Sequence, residues 1–244
     1  MSRNQSDIEQ LYREDLAAIH VDGYGFHWEQ AAPSILSWLK NSGINSGMVC
    51  DLGCGGGQWL NCLIENGYRT TGIDVSPAMI ELARKAVPGS ALICGSFADI
   101  ELPSCDAVTS LGEPLNYLNS GPLMKRAINN AYASLKPGGL FIFDVRHPST
   151  GKVEPVHHAK SHEDWFCYAR IEESGRELVR HIQTFVKNRG GGFTRNYETH
   201  RLRLFSRAEI VKWLRQTGFK VRVRRSYGEY KLADRQSVFL CRKP

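Results

Sequence analysis

Residues 49–60, VCDLGCGGGQWL, constrain the fold more than any other stretch of this chain. A short apolar run ends in an acid, passes through glycines at positions 53, 55, 56 and 57, and opens directly into helically spaced residues. A strand that feeds a helix through so bare a turn aims backbone N–H groups at the carboxyl edge of a parallel sheet. In open α/β sheets that edge is the ligand crevice. The residues that follow keep the same alternation. YRTTGIDV, SALICGSF, CDAVTSLG and LFIFDV read as strands. SPAMIELARKAV reads as a helix, with Ser76 as cap and Pro77 in the first turn. GPLMKRAINNAYASLKPGG reads as another, stopped by Pro137 and Gly138. LFIFDV is apolar throughout, as expected for a strand covered on both faces. The expected fold is α/β, a doubly wound and mostly parallel seven-stranded sheet.

The expected domain is single, spanning 1–244. Residues 1–46 supply N-terminal helices at 5–20 and 28–40, separated by the Gly-rich break HVDGYGFH, and 47–147 form the core. Residues 148–205 have a different pattern. DWFCYARIEE, ELVRHIQTFVK and FTRNYETHRLRLF are three long strands joined by polar or glycine-rich turns, an antiparallel meander inserted into the sheet protein. HHAKSHED is expected as the loop entering it. In 206–244, SRAEIVKWLRQTG is a helix with a Ser206/Glu209 capping box, and two last strands follow.

Composition sets the outer bounds. At 42% hydrophobic and 23% charged residues, the chain is of ordinary globular type, and no apolar stretch approaches membrane-spanning length. The polar N-terminus has no apolar signal core, so a cytoplasmic location is expected. Seven cysteines, an odd number with no CxxC pair, are expected as reduced, packed thiols. HHAKSHED matches no closed tetrahedral ligand set, and no metal is expected. The charge of +6 and the basic strands HRLRLF and RVRRSY suit a solvated face better than a nucleic-acid site, as no RNA module accompanies them.

Two ligands compete for the glycine turn. A dinucleotide wants G-x-G-x-x-G, but Gln58 stands where the last glycine should be. Asp51 on the strand end would repel a pyrophosphate and suit an ammonium. Asp74, 21 residues after Gly53, ends the next strand and can accept both hydroxyls of an adenosine ribose. The pair fits a cofactor with adenosine and an ammonium group but no phosphate, as in S-adenosylmethionine. VCDLGCGGG, GIDVSPAMIELARK, CGSFADIELPSCDAVTSLGEPLNYL, LKPGGLFIFDV and LFSRAEIVKWLRQTGFKV, in that order, resemble the class I S-adenosylmethionine-dependent methyltransferases. The inserted meander makes the chain most similar to the small-molecule N- and O-methyltransferases.

That resemblance implies that Asp51, Gly53, Cys54 and Gly55 surround the methionine part of the cofactor and Asp74 holds the ribose. Val75 and Met79 would pack on adenine. Ser96, where the family usually has an acid, and the Phe97 backbone would meet the adenine edge. Leu111 and Gly112 would pass under the sulfonium. The reaction implied is in-line methyl transfer to nitrogen or oxygen of a small molecule, leaving S-adenosylhomocysteine. Expected bases or orienting groups are His147, the first choice for its neutral-range imidazole at the sheet edge, then Glu113, Tyr117 and His200. GYGFHW would form a lid, with Tyr24, Phe26 and Trp28 as its aromatic surface and Gly23 and Gly25 as hinges. The alternatives are an RNA or tRNA methyltransferase and a non-catalytic S-adenosylmethionine-binding protein. Oligomeric state is not set by the sequence.

Overall fold

The structure, a computed structural model, describes residues 11–244. The part of the first expected helix before residue 11 lies outside the described residues. Helices α1 (Glu14–Gly23) and α2 (Phe26–Asn41) precede the core. The break between them is only Tyr24 and Gly25, shorter than the eight residues expected, because helical spacing survives through Val21 and restarts at Phe26. The core runs β1 (Gly47–Leu52), α3 (Gln58–Glu65), β2 (Tyr68–Asp74), α4 (Pro77–Ala86), β3 (Ala91–Cys94), β4 (Cys105–Ser110), a 3₁₀ turn (Pro114–Tyr117), α5 (Gly121–Ser134) and β5 (Leu135–Arg146). After the insertion come α6 (Arg207–Thr217), β10 (Lys220–Arg224) and β13 (Gln236–Arg242), with a short hairpin, β11 (Ser226–Tyr227) and β12 (Tyr230–Lys231), between the last two.

The seven strands lie in the order β10-β13-β5-β4-β1-β2-β3. All pairs from β5 to β3 are parallel, whereas β13 is antiparallel to both β5 and β10. The chain therefore winds outward from β1 on one side, then returns to its other side at β4. That reversal opens a crevice at the carboxyl ends of β1 and β4, beside Gly53 and Leu111.

Both faces of the sheet are buried, which explains the continuous apolar strands. Phe141, Phe143 and Val145 of β5 pack with α5 and α6. Leu140 and Ile142, one step out of phase, pack with α2 and α3. Phe143 stacks on Phe239 of β13 at 4.8 Å between ring centroids. The helix caps follow the sequence expectation: Ser76 Oγ accepts from Met79 N at 3.1 Å, and Ser206 and Glu209 form the capping box.

Two expectations are corrected. Helix α5 ends at Ser134 rather than at the Pro-Gly pair, because Leu135 already pairs with Cys105 of β4. Pro137 and Gly138 then lie in the stretch where the β4–β5 register shifts, so the missing N–H of Pro137 breaks no regular ladder. HHAKSHED is not an entry loop: its first half lies in a fourth strand of the meander, β6 (Val156–Ser161), paired antiparallel with β7 (Trp165–Ser174). Strands β8 (Glu177–Lys187) and β9 (Phe193–Arg203) complete the sheet, in the order β6-β7-β8-β9. Trp165, Cys167 and Ile182 of this sheet pack on Leu16 and Ile19 of α1. Leu178 and Leu202 pack with Leu204 and Tyr117. The meander and α1 thus form a roof above the crevice.

All seven cysteines are free thiols, five of them buried. Among the described residues no helix is long and apolar enough to cross a membrane.

Candidate functional site

A cavity of about 170 Å³ sits in the crevice under the roof. Gly53, Gly55, Asp74, Val75, Met79, Phe97, Leu111, Gly112, Tyr117, Tyr24 and Trp28 line it, together with Leu11, Tyr12, His20, His27 and Pro114. Eleven residues expected from sequence are thereby brought to one place.

The glycines are there for geometric reasons. Gly53 has φ +77°, and a Cβ on it would lie 2.5 Å from Pro114 Cβ. Gly112 has φ +84° and is followed by Glu113 at φ +68°, two successive left-handed residues that fold the chain tightly under the cavity. One buried carboxylate holds that turn. Asp144 accepts from Gly112 N at 3.1 Å, Glu113 N at 3.0 Å, Tyr227 OH at 2.7 Å and His27 Nε2 at 3.1 Å. Burial alone would raise the Asp144 carboxyl, but His27 and the other donors hold it below the usual range. For His27, burial works against the proton, yet Asp144 beside it prevails and raises the imidazole. Both shifts describe one ion pair, His27⁺ with Asp144⁻.

Two other acids lack such compensation. Asp51 is 3% exposed, and its Oδ1 accepts from Thr109 Oγ1 at 2.6 Å; Trp59 Nε1 in turn donates to Thr109 at 3.1 Å. Burial, opposed by Thr109 and reinforced by the charge of Asp74, pushes Asp51 up to about 7. Its carboxyl lies below the cavity wall rather than on it. Asp74 is raised by burial although Gly55 N and Ser76 N each donate to it at 2.9 Å. It therefore orders the glycine turn and caps the next helix while still facing the cavity. Two buried acids whose charge no cation meets among the described residues are what a cationic ligand would relieve. The donor set fits a cofactor carrying an ammonium, a sulfonium and a ribose. Trp28 also lines this space, and its buried Nε1 has no hydrogen-bond partner among the described residues.

Other expected residues stand elsewhere. Cys54 turns its thiol away, into a cluster with Leu60, Ile80 and Val87. Ser96 lines a small neighbouring cavity of about 80 Å³ with Val75 and Phe97. Phe26 is 52% exposed and forms no wall. Gly23 is packed under the meander: a Cβ there would meet Trp165 at 2.8 Å, and Lys160 Nζ donates to its carbonyl. The first-choice base, His147, is not brought to the cavity. Its Nδ1 bonds Phe205 O at 2.8 Å, its ring packs edge-on to Phe239, and its Nε2 is buried without a partner. Burial lowers its pKa. The strand-end position that suggested His147 points it into the seam between β13 and α6 instead.

Glu113, Tyr117 and His200 do converge. Tyr117 OH lies 3.1 Å from His200 Nδ1. His200 Nε2 lies 2.8 Å from Glu198 Oε2, and its ring is fully buried. Arg180 NH2 donates to Glu113 at 2.8 Å and NH1 to Tyr117 OH at 3.3 Å. Burial works against the Arg180 charge, but Tyr117 and Glu113 more than offset it. Asn116 aims the turn: it donates to Arg203 O at 2.8 Å and to Arg146 O at 3.1 Å, and accepts from Arg146 N.

Sequence reasoning missed Tyr12, His20, His27, Asp144 and Arg180. Asp144 had a signal, an acid near the end of a core strand like Asp51 and Asp74. His27 sat inside the stretch read only for its aromatics. Tyr12, His20 and Arg180 had none, because Tyr12 and His20 reach the cavity only through the roof and Arg180 acts on it only through Tyr117 and Glu113. His20 stacks on Tyr24 at 5.7 Å and meets Tyr12 edge-on at 5.1 Å. Burial, with the nearby charges of Arg180 and His200, lowers its imidazole to about 4.

Comparison with known proteins agrees with this geometry. A family described as "Methyltransferase domain" matches residues 49–139. YqeM of Bacillus subtilis (strain 168), a protein of methyltransferase name, is 30% identical over 197 residues, covering 75% of this chain and 78% of its own. The dTDP-3-amino-3,4,6-trideoxy-α-D-glucopyranose N,N-dimethyltransferase of Streptomyces venezuelae is 24% identical, covering 82% and 86%. Among solved structures, CalS10 from Micromonospora echinaspora, an amino pentose methyltransferase with its cofactor bound, superimposes with a TM-score of 0.75 at 21% identity, covering 93% and 95%. The chain belongs to the S-adenosylmethionine-dependent methyltransferases.

Proposed function

We propose that this methyltransferase acts on the amino nitrogen of a small, sugar-like acceptor, and that the cavity under the roof holds cofactor and acceptor together. The observation that carries the acceptor class is the polar character of the roof side. It presents two phenols, Tyr12 and Tyr117, and an imidazole, His20, held neutral by a pKa of about 4. Neutral hydroxyl and imidazole groups exchange hydrogen bonds with an amine and its neighbouring hydroxyls, and do not select for a carboxylate or phosphate at the reacting end. The sugar N-methylating relatives support the same reading.

In this reading the Gly53–Gly55 turn, with the Asp51 carboxyl beneath it, receives the ammonium end of the cofactor, and Asp74 receives the ribose. Val75, Met79 and Phe97 give the adenine an apolar slot, and Leu111 and Gly112 form the floor. When bound, the cofactor supplies an already activated methyl group on a sulfonium, so the protein has no need to build a powerful nucleophile. The protein's tasks are then alignment, exclusion of water and handling of one proton. The His27–Asp144 pair serves alignment, because Asp144 fixes both N–H groups of the Gly112–Glu113 turn. Tyr24 and Trp28 serve water exclusion.

The test is product formation with S-adenosylmethionine and three acceptors: a nucleotide-linked amino sugar, its analogue with hydroxyl in place of the amine, and a simple phenol. Methylation of the amine alone supports the proposal. Methylation of the hydroxyl analogue or the phenol, with the amine untouched, refutes nitrogen as the site. Binding of S-adenosylhomocysteine without turnover of any acceptor would favour a sensor.

A further inference from the structure

Taking His200 as a neutral ring fixes the direction of the hydrogen bonds around it, and that direction has a chemical use. Glu198, 8% exposed, accepts from Tyr12 N and Arg13 N, each at 2.9 Å, and has Arg13 Nε at 3.6 Å. Its oxygens accept from two backbone N–H groups beside the Arg13 charge, so toward His200 this group acts as the acceptor. His200 Nε2, 2.8 Å from that carboxylate, must therefore carry the hydrogen. In a neutral ring Nδ1 is then a lone pair, so Tyr117 must donate its hydroxyl hydrogen to it across 3.1 Å. Tyr117 has one hydrogen only. Tyr12 OH, 3.3 Å from Tyr117 OH, is consequently the donor of that bond, and Arg180 NH1 also donates to the Tyr117 oxygen. Burial pushes the Tyr12 phenol up, which keeps its proton in place at neutral pH. Each donor in the series Tyr12, Tyr117, His200 thus points away from the cavity and toward Glu198. The Tyr12 oxygen is left at the cavity end, with lone pairs to offer.

We propose that Tyr12, Tyr117, His200 and Glu198 form a proton relay that removes the acceptor's N–H proton during methyl transfer. The proposal rests on the nitrogen-acceptor reading above. One N–H bond of the acceptor breaks and an O–H bond forms at Tyr12. The former Tyr12 proton moves to the Tyr117 oxygen, and the former Tyr117 proton moves to His200 Nδ1. The result is an imidazolium, with both ring nitrogens protonated, stabilised by the Glu198 carboxylate, which itself stays ionised as in hydrolase triads. When product leaves and water enters the cavity, the proton returns along the same bonds to solvent. Tyr12 touches the acceptor and is the catalytic residue; Tyr117, His200 and Glu198 act through it as positioning residues. Among the described residues, the charged and titratable groups around His200 include Tyr12 and His20 from the α1 side, Tyr117 after β4, Arg180 on β8 and Glu198 on β9.

The first test needs no turnover. Histidine ¹⁵N spectroscopy on the wild type at pH 8, with His200→Gln to assign the signal, should find His200 as the Nε2–H tautomer. Its Nδ1 resonance should move in Tyr117→Phe. An Nδ1–H tautomer would overturn the proposal, because such a ring donates to Tyr117 and cannot take its proton. The second test reads Tyr117→Phe, with circular dichroism as the folding control. The affinity for S-adenosylhomocysteine should stay within about twofold, while kcat on the amino-sugar acceptor falls about 10²-fold, the scale of general-base catalysis. The acid limb of its pH profile should flatten as well. Equal kcat and an unchanged profile would show that no relay is used. Should the wild type methylate no amine, the acceptor reading fails and takes the relay's proton source with it, whereas an Nδ1–H tautomer overturns the relay alone and leaves the acceptor reading standing.

Discussion

The acid beneath the glycine turn should make cofactor binding release a proton. Burial, with Thr109 as its side-chain donor among the described residues, raises Asp51 to about 7 from the usual 3.8. Between pH 4 and 7 the folded protein therefore holds a proton that the unfolded chain has lost. This group's contribution to stability is then largest at low pH and declines by about 4 kcal/mol as pH rises to 7. His20 pulls the other way: its lowered pKa means that stability is lost as pH falls below 6.5. The two trends oppose each other in a melting curve, so the linkage is better read in binding. An ammonium placed near Asp51 favours the ionised acid, and below pH 7 that form must first release its proton. Affinity for S-adenosylhomocysteine should accordingly rise by up to about tenfold per pH unit below 7 and flatten above it. Calorimetric titrations at pH 6, in two buffers of different ionisation enthalpy, should count close to one proton released per ligand. At pH 7 the count should be about half. Asp51→Asn should release none and bind with no pH dependence in this range. A wild type that releases no proton at pH 6, or a variant that releases as many, would refute the placement of the ammonium beside Asp51.

Three further outcomes follow from the site. Asp74→Ala should weaken S-adenosylhomocysteine binding at least tenfold by calorimetry, and should cost about 1–3 kcal/mol of stability because Gly55 N and Ser76 N lose their acceptor. Gly53→Ala and Gly55→Ala should differ. The first puts a Cβ 2.5 Å from Pro114 and should lower stability by more than about 2 kcal/mol; the second meets nothing nearer than Met79 Sδ at 4.0 Å, bears only the left-handed strain of about 1 kcal/mol, and should still fold while binding cofactor more weakly. His147→Gln should leave kcat and cofactor affinity within about twofold, since the ring lies in the seam beside Phe205 and Phe239; a loss of turnover beyond tenfold would return it to the mechanism.

The sheet was legible because its signals are local. Glycine stops, a Ser-Pro helix start and period-two apolar runs need no knowledge of neighbours. The convergence of the strand-end residues on one cavity was legible for a related reason. Gly53, Asp74, Val75 and Gly112 follow strand ends, and in a parallel sheet all strand ends on one edge face one crevice. The roof side obeys no such rule. Arg180 lies in the middle of β8, and its charge matters only because the β8–β9 pairing sets Arg180 opposite His200. His147 stands away from the cavity for a local reason: it follows the last residue of β5, where its backbone N–H bonds Arg235 O and its ring turns to the α6 side. The fourth meander strand was hidden by its composition, since every residue of β6 is exposed and no apolar alternation marks it.

Asp51, Asp74 and Asp144 illustrate why residue type and position alone stop short of a role. Each stands at or near the carboxyl end of a core strand, and each is nine-tenths or more buried. What separates them is the number and charge of the donors that meet them. Asp144 has two backbone N–H groups, a phenol and an imidazolium, and its charge is consumed inside the protein, holding the floor turn in shape. Asp74 meets the backbone N–H groups of Gly55, Ser76 and Val75 and, among the described residues, no cation. Asp51 has a single hydroxyl and carries the raised pKa of about 7. Compensation of charge thus falls along the series, and the capacity to reward a cationic ligand rises with it. His27→Asn would test that ordering: losing the cation beside Asp144 should raise that carboxyl and loosen the Gly112–Glu113 turn. Turnover should then drop more than cofactor affinity, because Asp51 and Asp74 keep their own partners.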